Sequence, residues 1–176
     1  MFLWVGHLAR PFTGEQHACA TIPKSIFNSE FMTDDTATEV DAEFWQGVDQ
    51  FNQGQFYDCH DTLEAIWMEA TEPQKTFYQG VLQISVALYH LGNQNLRGAT
   101  ILLGEGINRL RRYPPSYATV NVERFLDQSI ALLLTLQHTP PEQVPQLAEQ
   151  VSRSPQERSE KGDGLVLPRI TTVDVP

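Results

Sequence analysis

Between Phe77 and Leu91 apolar side chains point in almost every direction around a helix. Phe77, Tyr78, Val81, Leu82, Ile84, Val86, Ala87, Leu88 and Leu91 leave almost no polar side. A helix apolar most of the way round must be covered by neighbours on several sides, so this segment belongs at the centre of a bundle. The flanking segments supply the neighbours. Phe44, Val48 and Phe51 share one face of a helix predicted over 41–54, with Gly54 suited to a left-handed C-terminal position. A second helix is predicted over 55–70, stopped by TEPQ, and the apolar one over 74–91 is the third. The fourth, over 95–112, has Asn95 as a cap and is broken by YPPS. The fifth, over 119–137, lines up Val122, Phe125, Leu126, Ile130, Leu133 and Leu134.

No segment alternates with period two over a useful length, so the expected fold is all-α: a compact bundle of about five antiparallel helices. The stretches FNQGQFYDCHDTLE and YHLGNQNLRGATIL each set an aromatic three residues before a glycine, and those glycines are 38 positions apart. That spacing suggests stacked helical hairpins, loosely tetratricopeptide-like, although a third copy is missing. In the fourth helix Gly98, Gly104 and Gly106 each cost about 1 kcal/mol relative to alanine, which close approach of a neighbour, or a kink near Gly104, would explain.

Three regions follow. Residues 1–40 show no sustained periodicity and read as an irregular N-terminal extension; Met32 opens the acidic leader MTDDTATEVDAEFW and is a candidate natural start. Residues 41–138 form the helical domain. Residues 139–176 are a tail rich in Pro, Gln and charge, with one short helix near 144–151; its apolar end, LVLPRITTVDVP, is expected to be a disordered terminus, with β-like docking as the alternative.

Charge is unevenly spread. The net charge is −10, and no Lys or Arg lies between Lys24 and Lys75, an interval holding twelve acids. From Lys75 to Arg124 the balance inverts, which suggests that two halves attract within one fold. Arg109, Arg111 and Arg112 fall where cations favour a helix C-terminus, so nucleic acid is not the expected partner. No apolar run approaches the roughly 18 residues of a membrane span, and MFLWVGHLARPFTG lacks the basic start of a signal peptide. Cys19 and Cys59 form no CxxC pair, and a reduced, cytoplasmic setting is expected.

The chemically suggestive residues lie on the second and third helices. In FYDCHDTLEAIWMEA, Glu64 stands about 40° round from His60 and Trp67 about 20° the other way, inside or at the rim of the apolar stripe. Asp58, Asp61 and Glu69 point elsewhere, as ordinary solvated charges. On the third helix Gln79, Gln83 and His90 form one narrow polar stripe. Sequential helices pack side by side, and buried polar groups need partners, so the two stripes are expected to meet.

These residues also resemble a known family. His60, Glu64 and Trp67 in an H-x-x-x-E-x-x-W pattern, with FNQGQFYDCH, YQGVLQISVALYH and GNQNLRGA around them, are similar to the domain of unknown function 309 family over about 43–112. The resemblance implies a small all-helical fold and brings no known activity.

Three uses of the cluster compete. One is a buried hydrogen-bond network in which His60, a glutamine, or an arginine such as Arg97 or Arg109 pairs Glu64. Another is a divalent metal site, zinc or iron, on His60, Glu64 and His90, although neither H-E-x-x-H nor E-x-x-H is present. The third is a His60–Glu64 acid–base pair in a pocket closed by Trp67, Tyr78 and Tyr89, with no adjacent nucleophile. Whether the protein is an enzyme stays open. The preferred reading is a non-enzymatic binding module with a buried His/Glu/Gln cluster formed by His60, Glu64, Trp67, Gln79, Gln83, Tyr89 and His90. Its partner would be a protein or small molecule, with a homo-oligomer also open; the alternative is a metal-binding protein or metal-dependent enzyme.

Overall fold

The apolar third helix, α3 (Gln74–Gly92), sits at the centre, with α1 (Ala42–Gln53), α2 (Phe56–Glu69) and α4 (Leu96–Leu110) as its neighbours in chain order. The computed structural model describes residues 42–157 and 165–173, which fall within one compact unit. The 1–40 extension and its candidate start at Met32 lie outside the described residues. From α1 to α4 each helix packs on the next, α3 on α4 most extensively. Gly54 adopts φ 84° and closes α1, the left-handed turn that a glycine makes without strain.

Aromatic rings knit the α1 side of the core. Phe44 stacks on Tyr78 with centroids 5.3 Å apart, and Phe51 meets Phe56 and Phe125 edge-on, both at 5.6 Å. On the other side α3 and α4 come close because glycine removes side chains at the crossing. A Cβ on Gly106 would lie 2.7 Å from Ile84 Cγ1 and 2.8 Å from the Gly80 carbonyl oxygen; one on Gly80 would meet Leu110 at 2.8 Å. Gly104 has only Leu133 Cδ2 near it, at 4.0 Å. The close-approach explanation therefore holds at Gly106.

The fold is an all-helical bundle with a small β appendage. The described residues form six α-helices and one 3₁₀ turn rather than about five helices. α5 (Val122–Gln137) starts later than predicted because the preceding residues form a hairpin, β1 (Ser116–Tyr117) paired antiparallel with β2 (Val120–Asn121). Ala118 and Thr119 turn it with φ 50° and 61°. Asn95 and Asn121 cap α4 and α5, accepting from the amides of Gly98 and Arg124, both at 2.9 Å.

After α5, a 3₁₀ turn at Pro141–Gln143 leads into α6 (Val144–Ser152), which packs on α3 through Val144, Ala148 and Val151. Residues 165–173 are docked rather than loose. Asn52 Nδ2 donates to Ile170 O at 2.8 Å and its Oδ1 accepts from Ile170 N at 3.0 Å. Asn121 N donates to Thr171 O at 2.8 Å, Val173 N to Thr119 O at 2.9 Å, and Ile170 is buried. Among the described residues no helix is long and apolar enough to cross a membrane.

Candidate functional site

Gln83 of α3 is wholly inaccessible and satisfied from both ends by α4. Its Nε2 donates to Glu105 Oε2 at 2.8 Å, and its Oε1 accepts from Arg109 Nε at 2.8 Å. Glu105 and Arg109 are four residues apart, so they flank Gln83 from one helix face. A neutral amide thus spans an acid and a base across the α3–α4 contact. An amide offering both donor and acceptor fixes the register of the two helices, since sliding either would strand a buried polar atom. Gln83 thus anchors a buried polar cluster, and Glu105 is a member the sequence reading missed. Its signal was present: an acid and an arginine at i, i+4 on a glycine-bearing helix.

His60 and Glu64 lie elsewhere, on the outer side of α2. His60 Nδ1 sits 2.9 Å from Asp61 Oδ1 and Nε2 sits 3.9 Å from Glu64 Oε2; the two side chains are 21% and 28% exposed. Asp61, expected to be a plain solvated charge, is therefore the closer carboxylate. Around His60 the surface is aromatic. Tyr57 and Tyr89, both largely exposed, meet with centroids 5.6 Å apart, Tyr57 also lies 6.3 Å from the His60 ring, and Lys75 Nζ lies 5.6 Å over the Trp67 ring. Met68 is exposed on the same helix.

On α3, Gln83 turns to α4, Tyr89 meets Tyr57 of α2, and His90 stands about 100° round from Tyr89, by the α3–α4 turn. There His90 Nδ1 lies 3.2 Å from Asn95 Nδ2, and partial burial lowers its pKa. Gln79 is half-buried one turn before Gln83. Among the described residues α3 bonds to α2 through Lys75 Nζ, which donates to Met68 O at 3.5 Å, and through Ser85 Oγ, which donates to Phe56 O at 3.0 Å. Beside it Cys59 is completely buried, and burial pushes its thiol up to about 12 against a hydrogen bond with Ser85.

The metal reading is overturned. His60, Glu64 and His90 do not converge, because the helical phase that aims Tyr89 at α2 turns His90 away. Among the described residues no group of three His, Cys, Asp or Glu side chains could hold a metal ion. Neither zinc nor iron has a site there.

Fold and site together define a small helical domain with a structural polar cross-link inside and an acidic, aromatic outer face. Residues 44–102 match the model of the family described as Domain of unknown function (DUF309). The match takes in nearly all of α1, the whole of α2 and α3, and the first half of α4. The uncharacterized protein YpuF of Bacillus subtilis (strain 168) is 37% identical over 57 residues, 32% of this chain. The chain spans about a third of that curated relative's length, 33%. No solved structure matches.

Proposed function

We propose that the protein is a non-enzymatic binding module whose recognition surface is the outer side of α2 with the adjoining end of α3. The observation that carries this is the division of its polar groups. Gln83 is consumed inside, holding α3 to α4, whereas His60 and Glu64 stand partly exposed beside the open Tyr57–Tyr89 pair. Aromatic rings next to hydrogen-bonding and charged groups are the composition of contact surfaces. In this reading His60, Glu64, Trp67 and Tyr89 contact the partner, and Gln79, Gln83 and His90 support the helices behind them. The antiparallel pairs α1–α2 and α3–α4 would then be stacked hairpins of tetratricopeptide type, presenting one side of α2.

The test is a photo-crosslinking residue at position 57 or 89 in the full chain, irradiated in the cells that make it. One adduct of defined mass is expected from both positions, lost in a His60→Ala, Glu64→Ala variant whose thermal melt is unchanged. Absence of an adduct, or one indifferent to the double substitution, refutes the reading.

A further inference from the structure

α5 carries two apolar stripes. Val122, Phe125, Ser129, Leu132 and Leu136 form the buried one. About 100° round the helix, Leu126, Ile130 and Leu133 form a second that is only half-buried, and Leu134 beside it is 52% exposed. α4 borders this face with Ile101, 50% exposed. A contiguous apolar strip of this kind marks a contact site.

The two ends of the strip carry opposite charge. A hollow of about 210 Å³ beside Leu126 and Ile130 has Glu123 and Asp127 as its charged residues. A groove of about 790 Å³ at the other end, lined by Ile101, Leu136 and Val144 among others, has Arg97 as its charged residue. None of these three is in an ion pair among the described residues. Arg124 stands one turn from Asp127, about 60° round α5, yet the two form no ion pair among the described residues. The ends are separated by about eleven residues of helix, or roughly 16 Å.

We propose that this α4–α5 face joins two copies of the chain about a two-fold axis near Ile130 and Leu133. A two-fold turns the second face end for end, so each Arg97 meets the Glu123 and Asp127 of the other copy while the apolar strips cover each other. Such self-complementarity is what an isologous interface requires. It also lets a chain of net charge −10 approach its own copy without setting acid on acid. The outer side of α2, with Asp58, Asp61 and Glu64, would do the opposite, so this contact is separate from the recognition surface proposed above.

Sedimentation equilibrium of the full chain tests it. The expected mass is twice 19.9 kDa, rising from monomer as concentration increases. Ile101→Glu and Leu134→Glu alter exposed positions, so each should keep the wild-type circular dichroism and sediment as a monomer. Arg97→Glu should weaken the dimer about tenfold, and adding Glu123→Arg and Asp127→Arg to the same chain should restore it. A wild-type mass of 19.9 kDa throughout, or an assembly larger than a dimer, overturns the proposal. So does a folded Ile101→Glu or Leu134→Glu variant that still dimerises, or a charge reversal that restores nothing.

Discussion

Two glycines, two residues apart on α4, should respond to the same substitution with opposite sign. Replacing either by alanine gains about 1 kcal/mol of helix propensity, since both lie in a helix interior. At Gly104 nothing opposes that gain, because the new methyl would find its nearest neighbour, Leu133 Cδ2, at 4.0 Å, an ordinary contact. At Gly106 the methyl would stand 2.7 Å from Ile84 Cγ1 and 2.8 Å from the Gly80 carbonyl oxygen. The oxygen is backbone and cannot swing aside, so α3 and α4 must part. Overpacking of this kind costs about 1–3 kcal/mol, and here it also stretches the Gln83 bonds, which adds about 1 kcal/mol. Gly106→Ala should therefore lose about 1–3 kcal/mol net, and Gly104→Ala should gain up to about 1 kcal/mol. Urea unfolding followed by far-ultraviolet circular dichroism, at low protein concentration, measures both. A Gly106→Ala protein as stable as wild type would refute the close-approach explanation of the α3–α4 crossing.

Other consequences are equally open to measurement. Gln83→Leu keeps volume but deprives Glu105 and Arg109 of their shared partner; a loss of about 1–3 kcal/mol is expected, and in a double-mutant cycle part of it should vanish on an Arg109→Ala background. Thr119→Gly should stabilise the protein by about 1 kcal/mol in thermal or urea unfolding, because a β-branched residue is strained at φ 61° and glycine is not. Asn52→Ala removes both bonds to Ile170, so amide hydrogens of residues 165–173 should exchange faster while those of α3 keep their protection. Cys59 should resist alkylation in the folded protein at pH 8 and react fully in denaturant. Its thiol is raised from 9.0 to about 12, so above pH 9 the unfolded chain ionises while the folded one keeps its proton. Stability should fall as pH rises past about 9, and less steeply in Cys59→Ala.

The helices were legible because their signals are local. Apolar spacing, Asn95 as a cap and the breaks at Gly54, Pro73 and Pro114 act within a few residues of the element they bound. The observed α1 to α4 accordingly lie within two or three residues of the predicted limits. The hairpin and the docked segment at residues 165–173 were not legible in the same way. Two-residue strands carry no period, and the partners of Asn121 and Asn52 lie about 50 and 118 residues away.

The site divides along the same line. That His60 and Glu64 are neighbours, and that Gln83 needs a partner, follows from the phase of one helix and the cost of an unpaired buried polar group. Which helix answers Gln83 does not follow. α3 is covered on several sides, so its own pattern cannot distinguish the neighbour that faces a given stripe. Packing chose α4, because the glycines at positions 80 and 106 let that helix come close enough for Glu105 and Arg109 to bracket the amide. With Gln83 engaged there and Tyr89 holding the α2 side, His60 and Glu64 were left facing outward. The sequence by itself determined the helices and their polar residues; the tertiary structure decided which of those residues meet, since contact depends on helix-to-helix distance and rotation that no single helix encodes.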